Sequence, residues 1–305
     1  MNIVFMGTPD FAATSLSALI EGGHNILAVF TQPDKPVGRH RVLTAPPVKE
    51  LALKHGIEVY QPETLKDSKA AEILRALNPD VIAVVAYGKL IPEEILNIPA
   101  LGCINVHGSL LPALRGAAPI QWSVINGEEY AGVTTMYMDK GLDTGDIILK
   151  EKTPIKEGET SEELYERLAP MGAELLLKTI SLLKEGKAER IPQDNERATY
   201  APMLSKEMAV LDFNKGAKEL CSLICGLNPW PVAYTTLDGK RLKVFRAVSA
   251  DASGDAGTLL DDKRFIVGCK GGAVEFLEVQ LEGSKKQSAE EFMRGKRLML
   301  GTCFK

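Results

Sequence analysis

The chain has 305 residues, enough to bury a full hydrophobic core and to divide into two domains. With 45% apolar and 25% charged residues and no apolar run of about 18, it reads as an ordinary globular protein without a membrane-spanning helix. The net charge of −4 argues against a surface built throughout for nucleic acid, yet from residue 206 onward 16 Lys and Arg face 13 Asp and Glu, so the C-terminal third is mildly basic on an otherwise acidic chain.

The opening Met-Asn-Ile-Val-Phe-Met-Gly has no basic n-region and predicts a buried strand from Asn2 to Met6, so a signal peptide is not expected and the cytoplasm is the default. The turn Gly7-Thr8-Pro9-Asp10 then enters a helix from Phe11 to Ile20. It carries one glycine where a dinucleotide-binding turn needs Gly-x-Gly-x-x-Gly, which argues against a nicotinamide enzyme. Gly22-Gly23 ends the helix and Ile26 to Phe30 reads as a second strand. Residues Thr31 to Ala45 show no periodicity and carry Lys35, Arg39, His40 and Arg41 among Pro33, Pro36 and Gly38, a loop long enough to be either functional or a surface excursion. A helix is predicted over Pro46 to His55, a short strand over Ile57 to Tyr60 and an amphipathic helix over Lys66 to Leu77. Val81 to Ala86 is apolar at consecutive positions, as a central parallel strand covered on both faces would be. The alternation of β and α predicts a Rossmann-like, mostly parallel α/β sheet.

The segment from Gly102 to Ile120 draws most of the chemistry. It opens as a strand at Cys103 to Val106, breaks into a turn containing Gly, Pro and Arg, and resumes as a helix at Pro119. Asn105 and His107 are two residues apart, so a strand points both side chains to one face, where it runs out into a loop. An amide donor beside an imidazole can steady a developing oxyanion and move a proton. Taken alone, the pair reads better as a strand-end amide and a half-buried structural histidine. Downstream, Gly132 to Met138 reads as a strand, and Asp143 falls in the loop Asp139 to Asp146, where an aspartate beside glycine is by itself most often a turn-former. Ser161 to Lys184 predicts a long helix opened by the capping box Thr160-x-x-Glu163. The cysteines, Cys103, Cys221, Cys225, Cys269 and Cys303, are odd in number and form no Cys-x-x-Cys pair, so reduced thiols rather than a zinc site are expected.

Gly186 to Pro202 is polar, aperiodic and reads as a linker. Beyond it come a helix at Ala217 to Gly226, the turn Asn228-Pro229-Trp230-Pro231 and five short strand candidates at Ala233–Leu237, Lys240–Val248, Gly257–Leu260, Phe265–Gly268 and Ala273–Leu281. Five short strands suggest a small OB-like β-barrel. Ser288-Ala289-Glu290-Glu291 opens a last helix. The resulting division is a Rossmann-like domain at 1–185, a linker at 186–205 and an OB-like domain at 206–305.

Asn105, His107, the Ser109-Leu110-Leu111-Pro112 turn, Arg115-Gly116-Ala117-Ala118-Pro119-Ile120 and Gly141-Leu142-Asp143-Thr144-Gly145-Asp146 together resemble the folate-dependent formyltransferases. The resemblance extends over the chain, through Gly7-Thr8-Pro9-Asp10-Phe11-Ala12, Pro192-Gln193-Asp194 and Asn228-Pro229-Trp230-Pro231, to those members that act on initiator methionyl-tRNA. It implies transfer of a formyl group from 10-formyltetrahydrofolate to the α-amino group of methionine, for translation initiation. Asn105, His107 and Asp143 would be the catalytic set and Ser109, Leu110, Leu111 and Pro112 would line the folate site. Lys35, Arg39, Arg41 and Lys206 would contact the tRNA, with Arg39 the best-matched side chain of the loop, and the C-terminal domain would bind tRNA. The chemistry calls for no metal, and a monomer is the default. Two other readings stay open: a formyltransferase acting on a nucleotide amino sugar or another small amine, which shares the Asn, His and Asp, and a non-catalytic OB-type RNA-binding protein.

Overall fold

The computed structural model describes residues 1–38 and 41–305. In chain order the elements are β1 Asn2–Gly7, α1 Asp10–Glu21, β2 Asn25–Phe30, β3 Lys35–Val37, β4 Val42–Thr44, α2 Pro47–Lys54, β5 Val59–Tyr60, α3 Lys69–Leu77, β6 Val81–Val85, α4 Glu93–Leu96, β7 Cys103–His107 and β8 Arg115–Gly116. They continue with α5 Pro119–Ile125, β9 Tyr130–Tyr137, β10 Ile147–Pro154, α6 Ser161–Lys184, β11 Tyr200–Ala201, α7 Ala217–Gly226, β12 Tyr234–Leu237, β13 Lys240–Ala250, β14 Ile266–Cys269, β15 Gly272–Leu281, β16 Gln287–Ser288 and α8 Ala289–Lys296. The chain forms two compact units. One takes Met1–Gly116, Gly132–Lys152 and Tyr165–Tyr200, and the other takes Ala117–Ala131, Thr153–Leu164 and Ala201–Lys305.

The first unit is built on a seven-stranded sheet in the order β10-β9-β7-β6-β1-β2-β5. β5, β2, β1, β6 and β7 run parallel, and β9 joins β7 antiparallel. β6 is buried at all five residues, Val-Ile-Ala-Val-Val, because helices cover both faces of a parallel sheet and leave no polar side for a central strand. From β1 the chain winds outward through β2 and β5, then returns to β6 and β7 on the other side, so the strand order reverses between β1 and β6. The carboxyl ends at such a reversal are where open α/β sheets accept ligands. There Gly7 lies opposite Val85, and a Cβ on Gly7 would fall 2.6 Å from Ala12 Cβ, 2.7 Å from Phe5 Cε1 and 2.9 Å from the Val85 carbonyl. The single glycine of the first turn is therefore required by close packing.

The predicted capping box at α6 is present: the Thr160 N–H donates to Glu163 Oε2 at 2.9 Å and the Glu163 N–H donates to Thr160 Oγ1 at 3.3 Å. At α8 the Glu291 N–H donates to Ser288 Oγ at 3.2 Å, so Ser288 caps the last helix as its sequence predicts. Residues 31–45, predicted to be irregular, contain the antiparallel hairpin β3–β4, with Lys35 opposite Thr44. Strands of three residues are too short to display a two-residue period, and Pro36 conceals the pattern further.

The second unit carries an antiparallel sheet in the order β12-β13-β15-β14, with β16 also on β15. Its core brings Leu220 and Ile224 of α7 together with Leu242, Val244, Phe276 and Phe292, and Phe265 lies 5.1 to 5.6 Å from the rings of Phe276, Phe292 and Phe304. Two expectations change. Gly257–Leu260 is not a strand, because Gly257 turns at φ +73° and only the isolated bridges Thr258–Cys303 and Leu259–Val267 remain; the fifth strand is β16. The strand pairings among the described residues follow an open path rather than a closed barrel. No helix among the described residues is long and apolar enough to cross a membrane.

Replacing Gly7 by Ala is expected to cost about 1–3 kcal/mol, since the new methyl overpacks a junction made partly of backbone. Urea denaturation of the two proteins measures it.

Candidate active site

β7 ends at the carboxyl edge of the sheet and delivers His107 there, with Asn105 one alternation earlier on the same face. His107 is 6% exposed. Its Nε2 lies 2.9 Å from the Leu114 carbonyl oxygen, which can only accept, so the Nε2–H donates and that nitrogen carries the proton. The other ring nitrogen, Nδ1, then faces Asp143 Oδ2 at 3.7 Å. The same carboxylate oxygen accepts the Gly116 N–H at 2.8 Å. Asp143 itself has φ +55°, a left-handed conformation that aspartate tolerates better than most residues. A turn-forming geometry and a carboxylate aimed at the imidazole are thus properties of one residue. Asn105 Oδ1 is buried without a hydrogen-bond partner.

Thr134 of β9 sits opposite His107 in the sheet and organises the loop after it. Its hydroxyl donates to the Ser109 carbonyl at 2.7 Å and accepts the Leu111 N–H at 3.2 Å. Ser109 is buried and its Oγ donates to the Ala113 carbonyl at 2.6 Å. Leu111 packs in a core cluster with Met136 and Ile147, and its carbonyl accepts from Lys150 Nζ at 3.0 Å. Leu110 and Pro112 are half-buried. Four residues read from sequence as one lining segment are therefore divided: Ser109 and Leu111 hold the loop, while Leu110 and Pro112 retain accessible surface.

A further part of the site comes from the stretch read as linker. The Leu114 N–H donates to Thr199 Oγ1 and the Arg115 N–H donates to the Thr199 carbonyl, both at 2.9 Å, which fixes the segment bearing the acceptor of His107. Gln193 and Thr199 gave no periodic signal; their importance lies in hydrogen bonds to residues about 80 positions away, which sequence spacing does not display.

Cys103, on the same strand, is kept protonated, because burial pushes its thiol up to about 12. Burial likewise pushes the Tyr87 hydroxyl, just past β6, up to about 12. Among the described residues no group of three His, Cys, Asp or Glu is placed to hold a metal ion. Lys35 and Arg41 are exposed on the β3–β4 hairpin, as are Val42 and Leu43. Lys206 is exposed on a single 3-10 turn, Lys206–Ala209, in the second unit. Arg39, together with His40, lies outside the described residues.

Residues 1–180 match the formyl transferase family and residues 203–297 match the formyl transferase C-terminal domain. A methionyl-tRNA formyltransferase of Lachnospira eligens is 50% identical over 310 residues, covering 99% of this chain and 98% of its own. That of Caldanaerobacter subterraneus subsp. tengcongensis is 50% identical over 309 residues and all of both chains. This chain belongs to the formyl transferase family, among the methionyl-tRNA formyltransferases. Two solved structures share the fold. The N-formyltransferase from Helicobacter canadensis, in complex with folinic acid and dTDP-3-aminofucose, superposes with a TM-score of 0.69 at 19% identity, over 90% of this chain and 98% of that one. HypX from Aquifex aeolicus in complex with tetrahydrofolic acid gives 0.62 at 18% identity, over 95% of this chain and 46% of that one.

Thr134→Val keeps the shape but removes the hydroxyl that serves two buried backbone groups. It is expected to cost about 1–3 kcal/mol, read from chemical denaturation.

Proposed function

We propose that this chain transfers the formyl group of 10-formyltetrahydrofolate to the α-amino group of initiator methionyl-tRNA, with Asn105, His107 and Asp143 as the catalytic set. The observation that carries the reading is the buried His107, its Nε2 committed to a carbonyl and its Nδ1 turned to the Asp143 carboxylate, at the carboxyl edge of a sheet in a chain half identical to methionyl-tRNA formyltransferases over its whole length.

The neutral amine attacks the formyl carbon and forms a tetrahedral intermediate whose carbonyl oxygen has become an oxyanion. The Asn105 amide supplies an N–H to that oxygen. The attacking nitrogen gives up a proton and the folate nitrogen receives one as its bond to carbon breaks, so the products are formylmethionyl-tRNA and tetrahydrofolate. Nδ1 is the ring atom able to take the proton, because Nε2 is already protonated and bonded. The imidazolium so formed lies beside the Asp143 carboxylate, whose charge stabilises it. Leu110 and Pro112 are the accessible part of the segment we assign to the folate, with Ser109 and Leu111 shaping it from below.

Lys35 and Arg41 on the hairpin, Arg39 beside them in sequence and Lys206 in the second unit are assigned to the tRNA phosphates. The basic excess from residue 206 onward supports a tRNA-binding role for the C-terminal β unit. A cytoplasmic monomer suits that substrate.

Single-turnover formylation with 10-formyltetrahydrofolate is expected with methionyl initiator tRNA and not with free amino sugars; transfer only to the sugars would replace this reading with that of a small-amine formyltransferase. Asn105→Ala is expected to slow the chemical step by about 10²–10³, the usual cost of an oxyanion donor, with tRNA affinity retained. His107→Ala is expected to abolish transfer in a protein that still folds.

A further inference from the structure

We propose that Gln193 is a positioning residue for the formyl transfer, holding Asp143 against His107 from a segment that carries no catalytic group. The proposal rests on the catalytic set assigned above.

Arg115 is only 2% exposed, and its side chain donates to Gln193 Oε1 through Nε at 3.1 Å and Nη2 at 2.8 Å, and to Asn195 Oδ1 through Nη2 at 2.9 Å. A guanidinium has no acceptor, so the atom turned toward it must be the oxygen of the Gln193 amide. That settles the amide orientation and points both hydrogens of Nε2 the other way. They go to the carbonyl of Asp143 at 2.9 Å and that of Gly145 at 2.7 Å. The oxygen is committed to Arg115, and both amide hydrogens serve the loop that bears Asp143.

The loop needs such a hold. Asp143 stands at φ +55°, and a non-glycine residue there costs energy that its surroundings must offset. Its two ends are fixed from one place in the chain: Gly116 donates its N–H to the carboxylate, and the neighbouring Arg115 orients the amide that holds the backbone carbonyl. With the backbone and the carboxylate both tied, Oδ2 has little freedom to leave the His107 Nδ1 that it faces at 3.7 Å. Misplacing a catalytic group by about 1 Å can cost about 10²-fold in rate.

The test separates positioning from mere structural support. Gln193→Glu keeps an acceptor for Arg115 and adds a charge complementary to it, but loses both donors to the loop carbonyls. Gln193→Met removes the hydrogen bonds at nearly constant volume and introduces no charge. Each is measured alone and in an Asp143→Asn background, by single-turnover formylation of methionyl initiator tRNA and by thermal unfolding. The expected result is a fall of about 10–100-fold in the rate of the chemical step for either folded single variant, with KM for tRNA and folate changed less than about threefold. In the Asp143→Asn background the same replacements should cost less than about threefold, because the group being positioned is gone. A folded Gln193→Glu or Gln193→Met protein within twofold of the unsubstituted rate overturns the proposal. So does an equal loss in both backgrounds, which marks general support of the fold. If Asp143→Asn alone retains full activity, the catalytic assignment itself fails and the role of Gln193 falls with it.

Discussion

The hydrogen bond from His107 Nε2 to the Leu114 carbonyl, 2.9 Å long and buried, fixes which imidazole nitrogen is left for the proposed proton transfer. A carbonyl cannot donate, so the proton stays on Nε2 and Nδ1 is presented to Asp143. In the neutral ring Nδ1 then presents a lone pair toward Asp143, and the carboxylate gains an ionic partner only when that nitrogen takes up a proton. The rest of the site keeps this arrangement in place. Thr199 holds the backbone on either side of the Leu114 carbonyl, Gly116 holds the Asp143 carboxylate, and Thr134 holds the loop that links His107 to both.

The sheet explains why the proposed site lies at this edge. Parallel strands place all their carboxyl ends on one side, and the reversal of winding between β1 and β6 separates the connections there. β7 lies next to β6 on one side and antiparallel β9 on the other, so His107 receives support from both directions: the rigid buried strand β6 and the polar anchor Thr134. Close packing at Gly7 brings the first turn against the end of β6 and leaves no room for a side chain.

Much of the first unit was legible in the sequence because its signals are local. Consecutive apolar residues marked β6, a capping box marked the start of α6, and the two-residue spacing placed Asn105 and His107 on one face. Aspartate beside glycine suggested a turn at Asp143, and the turn is there; that its carboxylate faces His107 was implied only by the family resemblance. The hairpin β3–β4 and strand β16 escaped because two or three residues do not establish a period. Gly257–Leu260 has the composition of a strand but pairs only through isolated bridges around a left-handed glycine. Gln193 and Thr199 stood in pieces that resemble the family, Pro192-Gln193-Asp194 and Ala198-Thr199-Tyr200-Ala201, yet nothing local gave them a place in the site: polar side chains in an aperiodic stretch look like a linker until their partners, about 80 residues earlier, are brought beside them by the fold.

The claim on which the chemistry depends is the tautomer of His107, and it can be observed without substrate. ¹⁵N NMR of protein labelled at its four histidines, assigned by comparison with a His107 variant, distinguishes a protonated ring nitrogen from an imine-like one. In the neutral imidazole the hydrogen bond to Leu114 requires a protonated Nε2 and an unprotonated Nδ1. A neutral His107 protonated at Nδ1, or one averaging between the two tautomers, would contradict that hydrogen bond and remove Nδ1 as the atom that takes the proton.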